Sequence, residues 1–225
     1  ALNDNIFRFA LVIFITFTLA ERSPIPAGML VVASGGIFIL PFFLFSAFAG
    51  QLADKFEKAR LIRLIKFAEI AIMALGAIGF WLQHAGFLLA VLFLMGAQSA
   101  FFGPLKYGIL PQHLREAELT GGNALIQMAT YVAILLGAMI GGVVASLHGH
   151  GALPIVICVT GAAFVGWLAA LRIPDAPSPA PDLAIDWRLG RATWHLLREA
   201  ATERPTLVLT LLISWFWFEG ASFLS

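Results

Sequence analysis

Seven apolar runs of near membrane-spanning length divide this chain, and no other feature restricts its fold so tightly. They cover residues 6–20, 27–50, 61–83, 86–110, 122–147, 152–171 and 206–225, each bounded by charge, proline or glycine, or by the end of the sequence. A hydrocarbon core about 30 Å thick takes roughly 20 helical residues at about 1.5 Å each, so the runs predict helices that cross a bilayer. The first run is short and the seventh stops without a polar flank, so the expectation is a fragment clipped inside its first and last spans. Ala1 is not an initiator Met, and no basic-then-apolar segment with a small-residue cleavage site precedes it, so no signal peptide is read here. A chain that is 60% hydrophobic and 12% charged has more apolar surface than a soluble core hides. Fourteen Lys and Arg against 13 Asp and Glu leave a net charge of +1, too little field to attract nucleic acid. The one cysteine, Cys158, lies in an apolar run, which excludes an intrachain disulfide and a Cys-based zinc cluster. No metal or cofactor is expected.

The positions of the charges set an orientation. Lys55, Lys58, Arg60, Arg63, Arg115, Arg172, Arg188, Arg191, Arg198 and Arg204 fall in one set of alternating loops, and the other set holds only Arg22. Basic loops stay on the cytoplasmic side, so residues before the first run begin inside and spans 2, 4 and 6 return there. The expected organisation is a six-span bundle over residues 1–172, a cytoplasmic connection over 173–205 and the start of a second bundle over 206–225. The connection opens with four prolines in the nine residues 174–182, which favour an extended, weakly structured linker. Helical spacing comes next, with Trp187 and Trp194 seven apart and Arg188, Arg191 and Arg198 supplying charge. That pattern predicts an amphipathic helix on the membrane surface, with a loop helix that packs only on protein as the other reading.

The loop between the second and third spans reads G-Q-L-A-D-K-F-E-K-A-R over residues 50–60. Gly50 would let helix ends approach, and Asp54 could meet helix N-terminal amides or a cation on a neighbouring helix. The string resembles the signature loop of the major facilitator superfamily at the same place. Gly50, Leu52, Ala53, Asp54, Lys55 and Lys58 match, while Glu57 stands where that family usually has glycine. In the fifth span G-A-M-I-G-G places Gly137, Gly141 and Gly142 on a small-residue face suited to close helix packing. It is similar to the family's glycine-rich fifth-helix motif, with Ala138 and Met139 where a Gly-Pro pair is common.

Three further strings narrow the resemblance: A-L-N-D-N-I-F-R (1–8), F-F-G-P-L-K-Y-G-I-L-P (101–111) and T-G-G-N-A-L-I-Q-M (120–128). Together they resemble the bacterial lysophospholipid transporters, especially those at the front of fusions with a glycerophospholipid acyltransferase and an acyl-acyl-carrier-protein synthetase. The resemblance implies an all-helical fragment of a 12-helix transporter in the bacterial inner membrane. It implies a flippase that moves 2-acyl-glycerophospholipids, chiefly ethanolamine and glycerol head groups, to the inner leaflet for re-acylation. Its partners would be the lysophospholipid, membrane lipids and the C-terminal half of the same chain, with fused acyltransferase and ligase domains beyond. Two other readings stay open: a small-solute or drug exporter of the same superfamily, and a non-transporting membrane anchor for a fused enzyme.

Ionisable groups inside a span are costly unless paired or wetted, and so mark candidate functional sites. Asp4 and Arg8 belong to the first span, Lys66 and Glu69 to the third, Lys106 to the fourth and Glu219 to the seventh. Counting about 1.5 Å per residue from Leu19 puts Asp4 about 22 Å deep, in the inner third. Lys106, about 7 Å from the inner boundary, would lie at a similar level. Asp4 and Arg8 are four apart and Lys66 and Glu69 three apart, so each pair can share a helix face and partly neutralise itself. Gly103 and Pro104, just before Lys106, loosen the fourth helix. The candidates for substrate binding or gating are Asp4, Arg8, Glu69 and Lys106, with Asn3 and Asn5 flanking Asp4. No residue is a catalytic candidate, because none of the five histidines has an aspartate five positions on, as an acyltransferase base would need.

Overall fold

The computed structural model describes residues 1–19, 25–146 and 153–224. Arg22 and the connections at 20–24 and 147–152 lie outside the described residues. The order is α1 (Leu2–Phe14), a π-helical turn (Ile15–Leu19), α2 (Ala27–Lys55), α3 (Lys58–Leu82) and α4 (Ala85–Gly108). A short α5 (Leu110–His113) and a 3-10 turn (Glu116–Glu118) lead to α6 (Leu119–Ser146) and α7 (Leu153–Ala170). An extended connection then reaches α8 (Leu189–Thr202) and α9 (Arg204–Leu224). No strand occurs among the described residues.

Among the described residues four stretches are long and apolar enough to cross a membrane: Ala27–Lys55, Ala85–His113, Glu116–Ser146 and Leu153–Ala170. α3 has the length, at 25 residues, but Arg60, Arg63, Lys66 and Glu69 crowd its first half. The deepest of these, Glu69, is met by side chains of α1 and α4. α1 begins earlier than its apolar run: Asn3, Asp4 and Asn5 are helical and buried, so the span takes in polar residues that hydropathy alone leaves outside. At 29 residues and about 1.5 Å each, α2 is about 43 Å long and carries residues 50–55 past a core about 30 Å thick.

The helices pair α2 with α4, α1 with α6 and α3 with α7, and α3 also packs on α4. α1 meets α6 where a side chain would not fit. A Cβ on Gly137 would lie 2.6 Å from the Leu2 carbonyl oxygen, and one on Gly141 2.6 Å from that of Ile6. Gly142, from the same string, has nothing within 4 Å of that position. α2 and α4 are equally tight at Gly96, whose Cβ would overlap the Phe38 carbonyl oxygen.

The main core joins α1, α3, α4 and α7 through Phe7, Leu11, Met73, Phe80, Leu88, Leu92, Met95 and Val159. Phe80 receives the rings of Phe7 and Phe14 edge-on at 5.3 and 5.1 Å. This apolar plug fills the end of the bundle away from the 50–60 loop. Large apolar side chains such as Val32, Phe43, Leu135, Met139 and Val165 point outward on α2, α6 and α7. Exposure on that scale fits a bilayer and not water.

Candidate intramembrane polar site

Below the plug, toward the 50–60 loop, polar side chains of α1, α3 and α4 meet. Glu69, 4% exposed, is their hub. Its Oε1 accepts the Asn3 Nδ2 proton at 2.9 Å, and its Oε2 accepts Lys66 Nζ at 2.7 Å and Gln98 Nε2 at 3.2 Å. The carboxylate is thus neutralised on its own helix and tied to two others, the arrangement a buried charge requires. Lys66 Nζ also lies over the Phe102 ring, 5.0 Å from its centroid.

Asp4, next to Asn3, takes a hydroxyl hydrogen bond from Ser99 of α4 at 2.9 Å, on the same Oδ2 that the Ala1 amino group approaches to 3.2 Å. The one Ser99 proton also lies near Gln98 Oε1, 3.3 Å away. Among the described residues Asn3 Oδ1 is buried with no hydrogen-bond partner. Asn5 turns back to the Ala1 carbonyl at 2.8 Å.

The structure separates what the depth count puts together. Asp4 lies level with Gln98 and Ser99, seven residues before Lys106, so Lys106 is about 10 Å nearer the loop end. The count takes the ends of the apolar runs for membrane boundaries, whereas α1 ends in a π turn and α4 breaks only at Gly108. Lys106 Nζ instead donates to Thr130 Oγ1 of α6 at 3.2 Å and lies over the Tyr107 ring. Arg8 does not pair with Asp4 either: its guanidinium sits over Phe38 of α2, 4.7 Å from the ring centroid. Among the described residues neither Arg8 nor Lys106 has a carboxylate within 4 Å. Gln98, Ser99 and Thr130 carry no charge and do not stand out in the sequence; the only signal is a Gln-Ser pair in the middle of an otherwise apolar run.

The 50–60 loop forms a second polar region. Glu57 caps α3, accepting from Ala59 N–H at 2.9 Å and Arg60 N–H at 2.7 Å, and it takes a third bond at 2.8 Å from Ala176 N–H of the linker. Burial pushes its carboxyl up, but the amides of Ala176, Arg60 and Ala59 and the Arg60 charge outweigh that and hold it below its ordinary value. Burial also pushes the Lys58 ammonium down, opposed by Asp54. Lys55 Nζ donates to the Leu183 carbonyl at 2.8 Å. The Asp54 side chain is exposed and makes no hydrogen bond among the described residues, and its carbonyl holds the linker. Nothing lies within 4 Å of a Cβ on Gly50, so the expected close approach is not made within these helices.

Paired long helices, several of them apolar enough to cross a membrane, with an apolar plug at one end and charged groups buried between them, describe a multi-pass membrane fold. The family model of the Major Facilitator Superfamily matches residues 1–225, and the chain belongs to that superfamily. It is 34% identical over 190 residues to the "Lysophospholipid transporter LplT" of Klebsiella pneumoniae, covering 83% of this chain and 45% of that protein. A protein of the same name from Salmonella newport is 36% identical over 158 residues, covering 70% of this chain and 36% of its own length. The chain therefore spans less than half the length of these relatives.

Proposed function

We propose that this chain is the N-terminal half of a lysophospholipid flippase in the bacterial inner membrane, working by alternating access with a second half beyond residue 225. Its substrates would be 2-acyl-glycerophospholipids with ethanolamine or glycerol head groups, delivered to the inner leaflet for re-acylation. Such transporters bind between two pseudo-symmetric halves, so this half alone would not transport. In this reading residues 1–172 are the first bundle, 173–205 the cytoplasmic connection and 206–225 the opening of the second bundle.

The observation that carries the reading is the identity to lysophospholipid transporters over 83% of the chain. The geometry supports it and sorts the candidates. Glu69 is met by three donors and positions α1; Arg8 and Lys106 have no carboxylate within 4 Å among the described residues, and Asp4, met by Ser99 and the Ala1 amino group, is the carboxylate a ligand amine would engage. A zwitterionic head group needs a cation for its phosphate and an anion for its amine, and its single acyl chain can stay in lipid. Asp4 takes the amine, and Arg8 and Lys106 serve the phosphate at different depths.

The test is a vesicle assay with the intact protein, following labelled lysophosphatidylethanolamine from outer to inner leaflet. A rate equal to that of empty vesicles excludes the flippase. Movement of small cationic drugs in place of the lipid would favour the exporter.

A further inference from the structure

Proline-rich residues 174–178 are extended and lead into a turn at 181–182, and the segment is bound to the bundle along its length. The Ile173 carbonyl accepts Arg63 Nη2 at 2.7 Å, and Asp175 lies 3.6 Å from the same guanidinium. Ala176, fully buried, exchanges two hydrogen bonds with the start of α3: its N–H goes to Glu57 Oε1 at 2.8 Å, and its carbonyl receives Lys58 N–H at 3.0 Å. The Pro177 carbonyl accepts Gln112 Nε2 of α5 at 2.8 Å. Ser178 Oγ reaches the Asp54 and Lys55 carbonyls at 2.9 and 2.8 Å, and Ala180 N–H donates to the Asp54 carbonyl at 3.0 Å. Leu183 is held by Lys55, and Asp186 N–H by Gln51 Oε1 at 2.8 Å.

These bonds have a common logic. The last carbonyls of α2 and the first amides of α3 lack helical partners and must find others. Ser178 and Ala180 satisfy the former, Glu57 the latter, and Glu57 then reaches on to Ala176. Proline limits the freedom of the unbound segment, which lowers the entropy lost when it is fixed.

We propose that residues 173–186 are a strap belonging mechanically to the first bundle, fastened by Glu57, so that movement between the two halves is not taken up within it. The strap joins the ends of α2, α3 and α5 into one rigid face, and Glu57 is its positioning residue. The consequence for movement between the halves rests on the alternating-access reading of the function; the fastening itself does not.

Two measurements on the intact membrane protein test it. In the first, Glu57→Gln keeps the side-chain size and removes the charge, and amide hydrogen exchange is followed at Ala176, Ala59 and Arg60. Losing a charge-assisted bond predicts roughly tenfold or faster exchange at Ala176. Unchanged exchange at Ala176, whatever the first turn of α3 does, makes Glu57 a helix cap only and overturns the strap. In the second, Gln112→Cys and Pro177→Cys are joined by a short bifunctional maleimide after Cys158, the one cysteine of residues 1–225, and any cysteine beyond them are replaced by alanine. Lipid flipping at the uncross-linked rate is expected. Flipping present before cross-linking and lost after it shows that the strap must lift, and overturns the rigid assignment. Absence of flipping even in the wild type counts against the proposed function, and the exchange measurement then decides the strap alone.

Discussion

The polar cluster around Glu69 and the clasp around Glu57 each centre on one glutamate with three donors, yet they are built from different partners. Glu69 is held by the side chains of Asn3, Lys66 and Gln98, three helices meeting inside the span. Glu57 is held by the backbone amides of Ala59, Arg60 and Ala176, at helix and linker ends. Within a membrane, helical backbone groups are already paired, so only side chains are free to answer a buried charge. At the end of the bundle the order reverses, because helix termini expose amides that need an acceptor. The first site therefore depends on residue identity across three helices, and the second mainly on where the chain turns.

The largest effect should separate the two glutamates directly. Glu69→Ala leaves the half-buried Lys66 and the buried amides of Asn3 and Gln98 without their acceptor, a loss toward the about 3–5 kcal/mol of a broken buried pair. Thermal unfolding in detergent should show a large loss, recovered in good part by the Glu69→Ala/Lys66→Met double variant. Equal stability of the single variant and the wild type would mean that water or snorkelling already serves Lys66.

Next come the charges the cluster does not neutralise. Asp4→Asn and Lys106→Gln should each slow flipping of lysophosphatidylethanolamine roughly 10- to 100-fold, the worth of a charged hydrogen bond, with little change in folding. Because Asp4 and Lys106 are not paired, the double variant should not regain activity. Recovery would show that they meet in another conformation as a structural salt bridge.

A smaller effect contrasts two adjacent glycines. Gly141→Leu drives a side chain into the Ile6 backbone and should destabilise by about 1–3 kcal/mol, whereas Gly142→Leu should stay within about 0.5 kcal/mol. Equal losses on unfolding would place the α1–α6 contact elsewhere.

The smallest effect is the pH response of Glu57. Its carboxyl is held below the ordinary 4.5, so its contribution is complete above that pH and is lost as the pH falls through the lower native value. Amide protection at Ala176 should be flat from about pH 5 to 8 and decline only in acid, and Glu57→Gln should remove that decline. A change near neutrality would point to a different group.

Spans with uninterrupted apolar runs, α2, α4, α6 and α7, are legible because hydropathy needs no tertiary information. α3 is legible as a helix, but not how its charges are tolerated: that depends on Asn3 and Gln98, both on other helices. The polar start of α1 can be placed at depth by counting, but not as the point where α3 and α4 are joined. Glu57 stands out in the sequence only as a departure from a family pattern, and its role stays hidden because the third donor, Ala176, lies 119 residues further on. Prolines mark the linker as extended, which it is. They also suggest weak structure, since side-chain composition carries no record of the carbonyls and amides that hold it. Trp187, whose spacing suggests a helical face shared with Trp194, precedes α8 and rests on Phe48, with ring centroids 5.5 Å apart.

The π turn at Ile15–Leu19 gives the first span two phases. A π turn winds more slowly than an α-helix, so the side chains it carries face a different way from those of an unbroken α-helix. Before the turn the span lies along α6; the turn itself meets α2. The described part of span 1 thus joins two neighbours, its helical body seated on the glycine seam of α6 and its π turn on α2. One helix therefore ties the α2–α4 pair to the α1–α6 pair, a link that neither pair makes through its own glycine contacts.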